Sequence, residues 1–171
     1  MSLKLYIAGK VSKNSSFGKH HWRDEFTQEL SRLSDRKIEN LDPTKISNTI
    51  ETPEEIFGAD VALIDQCDAF VVYLSDDISV GGSQEILIAK YLNKPVIGYA
   101  PRGGKFNGSR REHFGRVIEN FKDPFVFSTC DIVCGTVEEV GQALKTIDSI
   151  KPKGIEIIDQ YKKIYTDSHN G

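Results

Sequence analysis

Short apolar runs alternate with amphipathic segments along this chain of 171 residues, and that alternation is the strongest constraint on its fold. The clearest run, "DAFVVYLS" at residues 68–75, is almost continuously apolar, as strands buried on both faces of a sheet are. Earlier in the chain, Trp22, Phe26 and Leu30 recur at helical spacing. Strands that alternate with helices in this way form right-handed βαβ units around a parallel sheet.

The pattern predicts five parallel strands with helices between them. Strands are expected at residues 3–9, 37–43, 68–75, 94–101 and 124–129, and helices at residues 22–34, 52–67, 83–93, 110–121 and 136–147. Thr52 as an N-cap and Pro53 at the first helical position mark the start of the second helix. The fold class is therefore α/β: a single doubly wound, flavodoxin/Rossmann-like domain at residues 1–150, followed by a helical or flexible tail at residues 151–171.

Composition restricts the class of partner. A net charge of −3 argues against a nucleic-acid partner, because proteins that bind nucleic acids usually carry a basic face. No apolar run approaches the roughly 18 residues that are needed to span a bilayer, so no membrane association is expected. The strand-like N-terminus does not resemble a signal peptide, and we expect a cytoplasmic protein.

The cysteines and histidines do not suggest a cofactor. Cys67 and Cys130 lie in apolar strings, and Cys134 follows Cys130 at a spacing that common zinc motifs do not use. The four histidines do not group with them. We therefore expect reduced thiols, no metal site and no other cofactor.

One glycine-rich segment, "SVGGSQE" at residues 79–85, stands directly before a helix and carries a carboxylate. A turn at Gly81 and Gly82 would allow close approach of a sugar or phosphate, and the helix N-terminus would favour an anion. Glu85 is expected in the first helical turn. The alternative is purely structural: Ser83 caps the helix and Glu85 complements its dipole.

Three segments follow one another in the first part of the chain. "LYIAG" lies at residues 5–9 and is followed by Lys10. "DVALIDQCDAFVVYLS" and "GGSQEILIAKYLNKPVIGYAP" come next and include Asp60, Ile64, Asp68, Val71, Gly81 and Glu85. In this order the segments resemble the nucleoside 2-deoxyribosyltransferase family, which includes related nucleotide N-glycosidases. The first is similar to the opening strand of the family, where a proline is usual in place of Lys10, and the other two match the next two family segments at the six positions named. The resemblance spans most of residues 3–101 and fades beyond them.

This resemblance implies covalent glycosyl chemistry on a nucleoside or nucleotide. Glu85 takes the position of the family's nucleophile, which attacks C1′ of the sugar and displaces the nucleobase. Asp60 takes the position of an aspartate near the sugar and the nucleophile, although it could equally be a carboxylate on a helix surface. No metal or redox cofactor is implied.

Further residues are candidates for substrate binding. They are Tyr6, Gly9, Asp42, Ser79, Gly81, Gly82, Asn107 and Ser109. Tyr6 could instead fill the core, and Asp42 could instead serve a turn before Pro43. In the family, the loop that corresponds to "RGGKFNGSR" reaches a neighbouring subunit's site, so Asn107 and Ser109 imply a homodimer or a larger homo-oligomer.

Ser79 bears on the substrate. Family transferases carry an aspartate at this position, near the 5′-hydroxyl of the nucleoside, whereas members that hydrolyse 5′-monophosphates carry serine. Ser15, Ser16 and Lys19 in the first loop could complete an anion site. Hydrolysis of nucleoside 5′-monophosphates and base exchange between nucleosides both remain open.

Two other functions fit the same fold. A non-catalytic nucleotide-binding or sensor module would not need a nucleophile at Glu85, and fold alone does not separate it from an enzyme. A phosphoribohydrolase-like enzyme would carry a Pro-Gly-Gly-x-Gly-Thr-x-x-Glu pattern, which this chain lacks. A second carboxylate close to Glu85 would favour double-displacement chemistry.

Overall fold

The computed structural model describes residues 2–9, 22–45, 52–75 and 77–169. In this part of the chain the strands are β1 (Leu3–Gly9), β2 (Ile38–Asn40), β3 (Ala69–Tyr73), β4 (Val96–Tyr99), β5 (Asn107–His113), β6 (Arg116–Lys122) and β7 (Ile132–Cys134). The α-helices are α1 (Trp22–Ser34), α2 (Pro53–Gln66), α3 (Val80–Tyr91), α4 (Pro124–Thr129), α5 (Val137–Lys145) and α6 (Ile157–His169). Among these helices, none combines the length and the apolar character that crossing a bilayer requires.

Five strands form one parallel sheet in the order β2-β1-β3-β4-β7. The chain passes from β1 to β2 on one side and then returns to β3 on the other side of β1. The strand order therefore reverses between β1 and β3, which is where doubly wound sheets bind their ligands. This architecture confirms the predicted α/β, doubly wound fold.

Two layers of helices cover the sheet. The side chains of Leu5 and Ile7 enter one core together with α1 and α5, whereas Tyr6 and Ala8 enter a second core with α2 and α3. This division follows from the two-residue period of a strand. It directs Tyr6 toward the helices that carry Asp60 and Glu85.

The segment at residues 110–121, predicted as a helix, instead forms the antiparallel hairpin of β5 and β6. The backbone turns at Phe114 and Gly115, with φ values of 48° and 72°. Positive φ at both central residues is typical of the tight turns that join hairpin strands. The helical prediction overlooked this turn because a charged sequence with scattered apolar residues suits either structure.

Residues 124–129, predicted as a strand, form the short helix α4. Asp123 Oδ1 accepts hydrogen bonds from the N–H groups of Phe125 and Val126 at 3.0 and 3.1 Å. With Pro124 at the first helical position, these bonds start a helix in spite of the β-forming side chains. The fifth strand of the sheet is β7, which is only three residues long.

The start of α2 is confirmed as predicted. Thr52 Oγ1 accepts the N–H of Glu55 at 3.2 Å, and the Glu55 carboxylate accepts the N–H of Thr52 at 3.1 Å, which forms a capping box. In the predicted tail, residues 157–169 form α6. The division of the chain at residue 150 stands as a proposal.

The three cysteines are buried free thiols. Burial raises the pKa of Cys67 to about 11, and those of Cys130 and Cys134 to about 12. Because the thiolate is the nucleophile, these thiols are poor candidates for chemistry.

Candidate active site

Tyr6 places a phenol at the switch point between β1 and β3. The side chain is fully buried and stacks on Phe70, with ring centroids 5.5 Å apart. Its hydroxyl has no hydrogen-bond partner among the described residues. Burial raises the pKa of Tyr6 far above its ordinary value, and the negative charges of Glu85 and Asp60 raise it further. The phenol therefore keeps its proton and faces a carboxylate environment.

Glu85 lies in the second turn of α3, not in the first turn as predicted. The helix begins at Val80, and the Ser79 hydroxyl caps it by accepting the N–H of Gly82 at 3.0 Å. Ser83 does not cap the helix, because its hydroxyl donates to the carbonyl of Val80 at 2.7 Å. Since dipole effects fall off within the first turn, helix-end electrostatics do not explain a carboxylate at Glu85.

Gly81 and Gly82 are helical residues, not the predicted turn. A β-carbon on Gly82 would lie 3.2 Å from the Ile78 side chain and 3.2 Å from Ser79 Oγ, so glycine permits the tight cap. A β-carbon on Gly81 would lie 3.7 Å from Glu85 Oε1. Gly81 thus leaves one side of the Glu85 carboxylate uncovered, at a cost in helix propensity of about 1 kcal/mol.

Asp60 on α2 is the second carboxylate of the site. Burial raises the pKa of Glu85, and the negative charge of Asp60 raises it further, whereas the Tyr6 hydroxyl lowers it. Burial also raises the pKa of Asp60. The structure therefore brings Tyr6, Asp60 and Glu85 into one electrostatically coupled group, although they are far apart in sequence.

Arg23 is a member of this group that the sequence analysis missed. Its Nε donates to the Ile7 carbonyl at 2.9 Å, and its Nη2 donates to the Gly9 carbonyl at 3.1 Å. The guanidinium also lies over the Trp22 ring, with Cζ 4.7 Å from the centroid. The charge of Arg23 lowers the pKa of Glu85, Asp60 and Tyr6. No local signal marks this arginine, because it occupies an ordinary amphipathic helix.

Gly9 ends β1 with a φ of 152°, a value that L side chains rarely adopt. A β-carbon there would lie 3.0 Å from the Tyr73 carbonyl and 3.1 Å from Trp22 Cη2. Gly9 thus lets Trp22 pack against the sheet beneath Arg23. Its predicted contact with substrate stays a prediction.

Two of the predicted binding residues, Asp42 and Asn107, have other contacts, and the hydroxyl of a third, Ser109, is buried without a partner in the part of the chain that the structure describes. Asp42 Oδ1 accepts hydrogen bonds from the N–H and hydroxyl of Thr44 at 2.9 and 2.8 Å, as in an Asx turn. Asn107 donates to the Ala100 carbonyl at 2.9 Å and lines a separate cleft of about 440 Å³ with Arg102 and Lys122. The Ser109 hydroxyl is buried without a hydrogen bond among the described residues. Their predicted contacts with substrate stay predictions.

The remaining site predictions concern the first loop and metal binding. Ser15, Ser16 and Lys19 lie outside the described residues. Within residues 2–9, 22–45, 52–75 and 77–169, no three His, Cys, Asp or Glu side chains group as a metal site requires.

Comparison with known proteins finds similarity in structure only. No protein-family model matches the chain, and no curated protein is matched. A 2-desoxiribosyltransferase from Leishmania mexicana is 18% identical in sequence. The match covers 85% of this chain and 97% of that protein, with a TM-score of 0.54. A 2-deoxyribosyltransferase from Bacillus psychrosaccharolyticus is 16% identical in sequence. The match covers 87% of this chain and 98% of that protein, with a TM-score of 0.52. The Clostridium botulinum CMP N-glycosidase BcmB is 14% identical in sequence. The match covers 82% of this chain and 97% of that protein, with a TM-score of 0.45.

The first two of these structures establish the fold. Each is covered almost completely, so the likeness includes the whole domain and not a single βαβ unit. At 18% and 16% identity, the likeness concerns the arrangement of strands and helices. This chain therefore has the fold of the 2-deoxyribosyltransferases, the family that its sequence resembles.

Proposed function

We propose that this protein is an enzyme that cleaves the N-glycosidic bond of a nucleoside or its 5′-monophosphate, with Glu85 as the nucleophile. The single observation that carries this proposal is the partly buried Glu85 carboxylate beside Asp60 and the Tyr6 hydroxyl, at the switch point of the sheet. Retaining glycosidases generally use two carboxyl groups, one of which is the nucleophile. A binding module has no need of this arrangement.

In the first step, a Glu85 carboxylate oxygen attacks C1′ of the sugar and forms a glycosyl ester. The bond between C1′ and the base nitrogen breaks, and its electron pair leaves with the base. Asp60 is the candidate donor of the proton that neutralises the base, because it is the second carboxylate of the pair.

In the second step, an acceptor attacks C1′ from the side that the base has left, and the Glu85 carboxylate is released. With water as the acceptor, its proton passes to Asp60 and the free sugar is formed. With a second base as the acceptor, its ring N–H proton passes to Asp60 and the product is a new nucleoside. Tyr6 keeps its proton, and its hydroxyl lowers the pKa of Glu85 and so favours the ionised nucleophile.

The direct test is a chromatographic assay of base release from a panel of nucleosides and 5′-monophosphates, with and without an added free base. Release without an added base indicates hydrolysis, and a new nucleoside indicates transfer. The absence of turnover with every substrate, together with saturable binding of a nucleotide, would instead identify a binding or sensor module.

The geometry of Ser79 favours a 5′-phosphate on the substrate. Its oxygen accepts the N–H of Gly82, so the hydroxyl proton is available to donate to a phosphate oxygen. Ser79 is exposed at the N-terminus of the twelve-residue helix α3, where the helix dipole favours an anion. A carboxylate at this position would instead repel a phosphate.

We expect Ser79→Asp to lower kcat/KM for the 5′-monophosphate by roughly tenfold to a hundredfold, because like charges repel at close range. Aspartate caps helices as well as serine does, so the fold should be unaffected. Ser79→Asn is the neutral control and should retain the preference for the monophosphate. Kinetics with a deoxynucleoside and its monophosphate provide the measurement, and equal effects on both substrates would contradict a phosphate at Ser79.

A homodimer or larger homo-oligomer remains part of this proposal, with the loop around Asn107 near a partner's site. We expect light scattering at micromolar concentration to give at least twice the 19.2 kDa mass of the chain. A monomer at that concentration would count against the intersubunit role of Asn107 and Ser109.

A further inference from the structure

We propose that Arg23 is a positioning residue of this site, and that its fixed positive charge balances the carboxylates of Glu85 and Asp60. The inference rests on the proposed function for its catalytic meaning, but the charge balance itself is a property of the fold. The sequence resemblance assigns no role to this residue.

Arg23 is held rigidly on three sides. Hydrogen bonds to the carbonyls of Ile7 and Gly9 fix the guanidinium at the carboxyl end of β1, at distances of 2.9 and 3.1 Å. The Trp22 ring supports it from below, at 4.7 Å from Cζ. Trp22 is buried against Gly9, so the support belongs to the core and not to a mobile surface.

This placement gives the site a cation that does not depend on the substrate. The groups that act on Glu85 from the described elements are Tyr6 from β1, Asp60 from α2 and Arg23 from α1. Tyr6 is neutral, and Asp60 is an anion when ionised. Arg23 is therefore the cation of this described group, and without it two partly buried carboxylates would face each other uncompensated.

A balanced pair of carboxylates matters for chemistry because Glu85 attacks only when it is ionised. Arg23 stabilises the ionised form and so lowers the pKa of Glu85 and of Asp60. Removing the charge raises both pKa values. The higher pKa of Glu85 moves the acid side of the pH–activity profile to higher pH. The higher pKa of Asp60 moves the alkaline side, which depends on the proton of Asp60, to higher pH as well.

The experiment compares Arg23→Gln with Arg23→Lys. Neither side chain reproduces the two-pronged contact of arginine with the carbonyls, but only lysine keeps the charge. Arg32→Gln, on the exposed end of the same helix, is the matched surface control. For Arg23→Gln we expect kcat/KM at pH 5 to fall at least about tenfold relative to wild type, with most of the activity recovered at pH 8.

Arg23→Lys and Arg32→Gln should keep the wild-type pH profile. Equal losses of thermal stability in both Arg23 variants, with unshifted profiles, would overturn the proposal and leave Arg23 a structural anchor. A loss of activity in Arg23→Gln that is the same at every pH would also overturn it.

Titration of the carboxyl ¹³C signals by NMR separates this inference from the proposed function. Spectra of Glu85→Gln and Asp60→Asn assign the two signals. In Arg23→Gln both titrations should move to higher pH, whereas in Arg23→Lys they should not. If wild type releases no base from any substrate, the proposed reaction fails, and the titration still decides whether Arg23 balances the pair.

Discussion

Replacing Glu85 with glutamine is expected to slow base release at least about a thousandfold, which corresponds to roughly 4 kcal/mol in the activation barrier. The amide has nearly the same shape as the carboxylate but is too weak a nucleophile to form a glycosyl ester at C1′. The measurement is single-turnover base release by the variant and by wild type. Asp65→Asn, an exposed carboxylate on α2, is the matched control and should change the rate little.

Stability measurements on the same variant separate lost chemistry from lost folding. The pKa of Glu85 is raised in the folded state, so its ionisation opposes folding once the pH exceeds the unfolded value. Glutamine carries no charge, and Glu85→Gln should therefore melt at or above the wild-type temperature, with the larger gain at pH 8 than at pH 4. Wild-type rates in a folded Glu85→Gln variant would assign the chemistry to another residue.

The second large effect is a loss of stability. It concerns a buried ion pair outside the candidate active site. Lys90 and Asp131 form an ion pair with 2.6 Å between Nζ and Oδ2, and their side chains are 0% and 3% exposed. Asp131 also accepts the N–H groups of Val96 and Lys153, each at 2.7 Å. This carboxylate thus ties together α3, β4 and the segment that precedes α6.

Asp131→Ala is expected to lower the free energy of unfolding by about 3–5 kcal/mol, because it leaves the Lys90 ammonium buried without its partner. Burial already lowers the pKa of Lys90, which shows that its charge is costly there. Adding Lys90→Met to Asp131→Ala should recover part of the loss by removing that charge. Urea denaturation at pH 7 measures these changes.

The control for this prediction is Glu119→Gln in the exposed pair with Arg110, where both side chains are about two-thirds exposed. Surface pairs contribute about 0–1 kcal/mol, so this variant should unfold almost as wild type does. A loss below 1 kcal/mol for Asp131→Ala, or a double variant less stable than Asp131→Ala alone, would contradict the role of the buried pair.

The fold was predictable where local signals and burial agree. The run of residues 68–75 is apolar because β3 is covered on both faces. The start of α2 is encoded by Thr52, whose hydroxyl accepts a backbone N–H, and by Pro53 at the first helical position. The predictions failed at residues 110–121 and 124–129. There a two-residue turn and a capping aspartate, each a single short signal, outweigh the periodicity of the longer segment.

The candidate site likewise combines residues that could be predicted from the sequence with an arrangement that could not. Resemblance to a family pointed to Tyr6, Asp60 and Glu85, but residue patterns alone left each of them with a structural alternative. Their proximity is tertiary, since it requires β1 to lie beside β3 and α2 and α3 to cover the same face. Their catalytic roles remain a proposal.

The α/β class could be read from local patterns, because continuous apolar strands alternating with amphipathic helices bury their surfaces in a covered parallel sheet. The strand order, the position of Glu85 in its helix and the presence of Arg23 in the candidate site could not be read in this way. Those features depend on contacts between distant segments, such as the bonds from Arg23 to Ile7 and Gly9. Arginine in an amphipathic helix carries no local sign of which carbonyls it will meet once the helix packs on the sheet.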